Sequence, residues 1–411
     1  MRDPVDTEHS FSELGVSSFF IERLKERGIT QPTGIQERVI KRLYNGEKLL
    51  FRSPTGTGKT YAYLLPLLGK IMENPSAQGP VLLICAPTYE LCSQIKGELD
   101  FLLKGTELKS SLLVGQANLS RQIEGIKKEK AAALVGNPGR LLLLAKMNKL
   151  KLGNLQFLIL DEGDRLVSDE LLEETRELTE LVKQKIKPDQ KDSILIAACS
   201  ATFSSKSQKL LLPLLGEGAV LEESSEDILR EKVEHWAVFS PQRDKLYTLC
   251  SFIAAVNPRN RKAKFKALIF TGRGREAGKI VSLLQRRGLA AAGLWGDLDK
   301  KERKKSLDDF RSGRINLLVS SDLSARGLDI PGISHIISLD LGEDPNVYIH
   351  RAGRTARAGN RGIMVSIGNE EEMHRLAALE KRLSIKVHPK ELYQGKIRKP
   401  VQDDDKVFEK K

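Results

Sequence analysis

A short run from Ser53 to Thr60, reading Ser53-Pro54-Thr55-Gly56-Thr57-Gly58-Lys59-Thr60, has the residue types of a phosphate-holding loop. The apolar stretch Lys48–Arg52 precedes it and a helix-like pattern follows, which is the setting such a loop needs. Gly56 and Gly58 free the backbone to curl so that its N–H groups face phosphate oxygens, and the start of the next helix adds partial positive charge. Lys59 is placed to reach β- and γ-phosphates, and the Thr60 hydroxyl is placed to ligate Mg²⁺. The strict pattern carries glycine where this chain has Ser53. An ordinary glycine-rich turn is the plain alternative, and the intact Gly58-Lys59-Thr60 weighs against it.

A second group of chemical residues ends an apolar run: Leu158-Ile159-Leu160-Asp161-Glu162-Gly163-Asp164. A hydrophobic strand ending in acids delivers carboxylates to the carboxyl edge of a parallel sheet. Asp161 is placed to hold Mg²⁺ through water, and Glu162 to orient and deprotonate an attacking water. Acids that merely stabilise a helix N-terminus would look the same in isolation. The upstream phosphate loop favours the chemical reading.

These groups need a scaffold that brings distant segments to one edge. Short runs rich in Ile, Leu, Val and Ala recur at Lys48–Arg52, Val81–Ala86, Ser111–Val114, Ala132–Gly136, Phe157–Leu160 and Ile194–Ala198. They lack polar alternation, as strands buried on both faces of a parallel sheet do. Helical periodicity separates them, for example over Tyr61–Met72 and Glu170–Gln184. This alternation predicts an α/β doubly wound fold. The acidic stretch Glu222–Lys232 interrupts it, and strand-like runs resume at His235–Phe239, Ala267–Phe270, Gly293–Trp295, Ile315–Ser320, His335–Ser338 and Gly362–Ser366. The expected division is an N-terminal segment 1–36, a first domain 37–222, a flexible linker 223–231, a second domain 232–388 and a disordered tail 389–411.

The chain has 411 residues and a formal charge of +13, an excess that suggests a polyanionic partner such as nucleic acid. No apolar run reaches the roughly 20 residues of a membrane span, so no membrane partner is expected. The polar, acid-containing N-terminal stretch does not read as a targeting peptide. Cys85, Cys92, Cys199 and Cys250 form no C-x-x-C pair, which argues against zinc and for buried thiols in a reducing, cytoplasmic setting.

Taken together, the motifs and their order resemble the DEAD-box RNA helicases of superfamily 2, from about Phe11 to Leu392. The resemblance implies two tandem RecA-like domains, with ATP and Mg²⁺ as cofactors and RNA as partner. It implies that Gln31 and Gln36, in the Gln31–Gln36 segment, read adenine and that Phe11 stacks on the ring. Cys199-Ser200-Ala201-Thr202 resembles the family's coupling motif, so Ser200 and Thr202 would bond toward Asp164. Tyr348–Gly359 resembles the arginine-finger motif, in which Arg354 and Arg357 stabilise the transferring phosphoryl group and His350 bridges toward Asp164 and Ser200. Their spacing of three would put both arginines on one face of a helix. Asp329 would take the ribose hydroxyls. RNA contacts are implied for Pro87, Thr88, Gly115 and Arg140 in the first domain. In the second, they are implied for Arg273, Arg303, Ser321 and Arg326, mostly to phosphate and 2′-hydroxyl groups.

The chain departs from the family pattern unevenly. Nearly all ATP-side residues are present, with Gly163 where the signature has alanine. On the RNA side Tyr89 replaces a usual arginine, Gln116 a glycine, Asn137 a threonine, Trp295 a histidine and Lys300 a glutamine, while Ala356 replaces a glycine between the fingers. The expected activity is an ATP-dependent RNA helicase that separates short duplexes by ATP-driven closure of two domains. An RNA clamp or ribonucleoprotein assembly factor with weak unwinding is the alternative, and a DNA helicase a third reading. A monomer is expected, with ribosomal or ribonucleoprotein proteins as candidate partners.

Overall fold

The computed structural model describes residues 8–54, 56–73, 79–129, 131–187, 194–223, 232–257, 265–272, 274–296, 298–321, 330, 332–356 and 361–400. The chain divides into two compact units, 1–226 and 227–411.

The first unit is built on seven strands: β1 (Leu49–Arg52), β2 (Leu82–Cys85), β3 (Ser110–Leu113), β4 (Ala133–Gly136), β5 (Phe157–Asp161), β6 (Leu195–Ser200) and β7 (Val220–Glu223). All pair in parallel, in the order β3-β4-β2-β5-β6-β1-β7. The central strands are buried along their length, as their unbroken apolar sequences require. Alternate residues feed two cores: Phe51, Leu82, Ile84, Ile159 and Cys199 face one side with helices Gly34–Tyr44, Lys59–Glu73 and Tyr89–Leu102. Leu50, Leu83, Leu158, Leu160 and Ala198 face the other.

The second unit holds β8 (Val233–Phe239), β9 (Ala267–Thr271), β10 (Ala291–Leu294), β11 (Leu317–Ser321), β12 (His335–Ser338), β13 (Gly362–Gly368), β14 (Val387–Tyr393) and β15 (Lys396–Arg398), in the order β10-β11-β9-β12-β13-β8-β14-β15. Among the described residues only the β14–β15 pair is antiparallel. A buried ion pair braces this unit: Lys245 Nζ meets Glu372 Oε1 at 2.7 Å and Leu339 O at 2.9 Å. Glu372 also caps its own helix by accepting the Asn369 N–H at 2.8 Å.

Two expectations need correction. The acidic stretch expected as linker begins inside the fold, because Glu222 and Glu223 belong to β7. Glu222 accepts the Arg42 guanidinium at 2.8 Å, which lets an acid-rich segment act as an edge strand. Likewise the residues from Pro389 to Arg398 are no tail but strands β14 and β15. Mixed charge is compatible with strands at a sheet margin, where one side faces water. All four cysteines are buried and free. Among the described residues no helix is long and apolar enough to cross a membrane.

Candidate functional site

The sheet order places the chemistry. β6 lies between β5 and β1, so the carboxyl ends of three adjacent strands carry Asp161, Ser200 and the loop that starts at Ser53. The Ser53 N–H donates to Ser200 O at 3.1 Å, tying that loop to β6.

The loop is cross-braced. The Ser53 hydroxyl donates to Thr57 Oγ1 at 2.7 Å, and the Thr57 hydroxyl to Pro54 O at 2.8 Å. Serine thus supplies a brace where the strict pattern has glycine. Gly56 and Gly58 have φ of +85° and +90°, a region that side chains rarely occupy. Lys59 Nζ donates to Ser53 O at 2.6 Å and Pro54 O at 2.8 Å, so its ammonium is folded onto the loop's own carbonyls. Thr60 is half-buried on the first turn of the helix Lys59–Glu73. Thr55 lies outside the described residues.

Gln36 is 2% exposed. Its carbonyl oxygen accepts the Thr33 N–H at 3.0 Å in a capping box, and its Nε2 donates to Gly58 O at 3.0 Å. Thr33 adds a hydroxyl bond to Thr57 O at 2.6 Å. The segment expected to read adenine is therefore also a buttress of the phosphate loop. Gln31 is exposed. Phe11 is 3% exposed and packs with Leu14, Val16 and Phe20 in the core, so it presents no open ring face for stacking. Burial of an aromatic face outweighs holding it in water.

Asp161, 4% exposed, is surrounded by donors. Its Oδ1 accepts the Glu162 N–H at 2.8 Å and the Cys199 S–H at 3.1 Å, and its Oδ2 accepts the Tyr63 hydroxyl at 2.8 Å. A buried carboxylate survives only with such bonds. The next residue, Glu162, is buried with φ +51° and ψ +51°. A non-glycine residue in the left-handed region carries strain of the kind that gathers at functional turns. Gly163 follows in a tight place: a Cβ there would lie 3.2 Å from Leu211 Cδ1, so that side chain would have to shift by a few tenths of an ångström to admit alanine. Asp164 receives the hydroxyls of Ser200 on Oδ1 and of Thr202 on Oδ2, the latter at 2.7 Å, so these three residues come together within the first unit.

The other half of the same sheet edge holds Pro87, Thr88, Gly115 and Arg140, which follow β2, β3 and β4. Thr88 caps the helix Tyr89–Leu102 by accepting the Leu91 N–H at 3.3 Å. Arg140 donates to Gly115 O at 2.9 Å and Gln122 Oε1 at 2.8 Å, and the Gly115 N–H donates to Asn137 at 3.3 Å. Tyr89 is exposed at the head of its helix.

In the second unit His350 and Arg354 are each 4% exposed. The helix bearing His350 spans Pro345–Ala352, so it ends before Arg354. Arg354 therefore lies beyond the helix expected to carry it, and Ala356, two residues on, has φ +56°. Arg354 Nε donates to His350 O at 3.2 Å. Ser321 ends β11, and Arg303 is half-buried on the helix Lys300–Ser312. Arg273, Arg326, Asp329 and Arg357 lie outside the described residues. Trp295 is a packing residue: a Cβ on Gly293 would lie 2.1 Å from its ring.

Sequence reasoning missed Tyr63, Cys199, Thr33 and Arg351. Arg351 donates to Ser338 Oγ at 2.5 Å and to Asp340 O, anchoring the His350 helix to the end of β12. The signal for Tyr63 was its place one helical turn after Lys59, which puts it on the same face.

A braced phosphate loop beside buried acids on a parallel sheet, followed by a second unit of like design, defines a two-unit nucleotide-binding protein of the α/β class. Residues 33–210 match the DEAD/DEAH box helicase family and residues 244–359 the helicase conserved C-terminal domain. The chain is 32% identical over 377 residues to the DEAD-box ATP-dependent RNA helicase CshC of Bacillus cereus, covering 92% of each. It is 31% identical to the ATP-dependent RNA helicase RhlB of Pseudomonas putida, covering 94% of this chain and 96% of that protein. The chain belongs to the DEAD-box helicase family. Its fold is like that of S. cerevisiae Dbp5 bound to RNA and ADP BeF3, with a TM-score of 0.82, 26% identity and 97% of each chain covered. The fold is tandem RecA-like.

Proposed function

We propose that the chain is an ATP-dependent RNA helicase that separates short RNA duplexes by ATP-driven closure of its two units in the cytoplasm. The observation that carries this reading is the meeting of Lys59, Asp161 and the Asp164–Ser200–Thr202 group at the ends of three adjacent strands. Family membership and the names of CshC and RhlB support RNA as the partner.

Lys59 trades its bonds to the Ser53 and Pro54 carbonyls for ATP phosphate oxygens, held by the backbone of the curled loop. Thr60 and Asp161, a hydroxyl and a buried carboxylate, are hard oxygen donors that suit Mg²⁺, whose charge would offset that of the phosphates. Glu162 takes a proton from the attacking water, and its fixed turn sets the carboxylate before that water arrives. Asp164 ties Ser200 and Thr202 at the end of β6 to the turn after β5, and Ser200 O holds the first N–H of the phosphate loop, so a change at the nucleotide is felt at the end of β6. Arg354 and Arg357 stabilise charge on the transferring phosphoryl group once the units close, and His350 reports closure. RNA is held through phosphate and 2′-hydroxyl groups by the Pro87, Thr88, Gly115 and Arg140 edge, and by Arg273, Arg303, Ser321 and Arg326. A strand bent across both units no longer fits an A-form duplex.

Hydrolysis and duplex melting measured side by side test the reading. RNA should stimulate ATP hydrolysis more than DNA does, and melting should need ATP. Glu162→Gln should still bind ATP and RNA while turnover falls roughly 10²–10⁴-fold. Normal turnover in that variant excludes Glu162 as the base. RNA-stimulated hydrolysis without melting would reassign the chain as an RNA clamp.

A further inference from the structure

The helix that starts at Lys59 carries a tyrosine where an apolar ring would fill the same space. Tyr63 is fully buried, and a hydroxyl in such a place is costly unless it is bonded on purpose. Its partner is the carboxylate read above as part of the Mg²⁺ site. The phenol O–H donates to Asp161 Oδ2 at 2.8 Å. On the far oxygen of the same carboxylate, the Glu162 N–H and the Cys199 S–H supply two more bonds.

An ionised carboxylate offers about four lone-pair sites. Two on Oδ1 and one on Oδ2 are taken, which leaves the open site on Oδ2, the oxygen that Tyr63 holds. We propose that Tyr63 is a positioning residue for the metal, tying the Asp161 carboxylate to the helix that also carries Thr60 so that Mg²⁺ meets a preset oxygen. The inference rests on the Mg²⁺–nucleotide reading of this site. Groups that orient metal ligands in this way typically contribute 10–100-fold to metal affinity.

The experiment is a titration of a fluorescent ADP analogue into the whole chain, across a range of Mg²⁺ and in EDTA. Three proteins are compared: wild type, Tyr63→Phe, and Tyr61→Phe, whose lost hydroxyl bonds Arg27 and Glu98 away from the site. Tyr63→Phe keeps the ring and its packing. The Mg²⁺ midpoint should rise roughly ten-fold or more in Tyr63→Phe, with ADP affinity in EDTA unchanged, while Tyr61→Phe matches wild type in both. An unchanged midpoint, or equal weakening with and without Mg²⁺, overturns the proposal. So does a Tyr63→Phe chain that no longer melts cooperatively, since the hydroxyl would then serve the fold. A wild-type chain whose ADP binding ignores Mg²⁺ removes the underlying reading, and the inference with it.

Discussion

Gln36 and Gly58 are fitted to each other: the amide Nε2 donates to Gly58 O at 3.0 Å, and a Cβ on Gly58 would lie 2.2 Å from that same nitrogen. Gly58 is therefore required twice, by its φ of +90° and by the approach of Gln36. Gly58→Ala should lower ATP affinity roughly ten-fold or more, since the left-handed region alone costs about 1–2 kcal/mol. Gln36→Leu should weaken binding as well, because Gly58 O and the Thr33 N–H both lose their partner. Equilibrium binding of a fluorescent ATP analogue checks both, and wild-type affinity in Gly58→Ala would contradict the fit described here.

Tyr89 heads its helix next to Thr88 and carries no charge where a phosphate-contacting arginine would add one. Restoring that charge by Tyr89→Arg should tighten single-stranded RNA binding. The slope of log affinity against log salt should steepen by about 0.7–1. Fluorescence anisotropy at several salt concentrations measures it, and an unaltered slope would place Tyr89 away from the RNA path.

Ala356 is held at φ +56° just beyond Arg354. Ala356→Gly should relieve about 1–2 kcal/mol of backbone strain, less roughly 0.5–1 kcal/mol for the added freedom of the unfolded chain. A net gain near 1 kcal/mol is expected in denaturant unfolding of the second unit. A loss of stability would mean that the alanine methyl's packing beside Tyr348 and Ala352 outweighs the strain.

His335 begins β12, with Nδ1 2.9 Å from Ser334 Oγ and its ring tilted against Phe265. Burial lowers its pKa to about 4 from 6.5. The unfolded chain therefore takes up a proton that the folded chain refuses between those values. Stability is full above about pH 6.5, declines as pH falls toward 4, and levels off below. The loss between pH 7 and pH 5 should be about 2 kcal/mol. Urea unfolding of wild type and His335→Gln at both pH values isolates this part, and identical pH dependence in the two proteins would refute it.

What could be read from residue order was what strand runs and local motifs carry. β12 is His335–Ser338 as expected, and most other strands differ from their apolar runs by a residue or two. That the phosphate loop and the acids at the end of β5 share one sheet edge followed from the parallel-sheet rule. β7, β14 and β15 escaped because acids, Pro389 and lysines hide a strand that lies at a margin of its sheet. Tyr63 and Cys199 escaped for a different reason. Each looks like core filler on its own element, and only the adjacency of β5 and β6 brings the Cys199 thiol onto Asp161. The helix end at Ala352 escaped, although Gly353 marks it as the C-cap, because an arginine spacing of three fits a helix and a turn equally well.

β1 has both of its neighbours far along the chain, since Arg52 registers with Ser200 on one side and Glu223 on the other. During translation the Ser53–Thr60 segment emerges early but stays without flanking partners until β6 and then β7 leave the ribosome. Domains form as units while the N-terminal part is made first, so this protein gains the ability to grip a nucleotide at nearly the last moment of making its first half. A nascent chain arrested before residue 195 should consequently draw nothing from the cell's ATP pool.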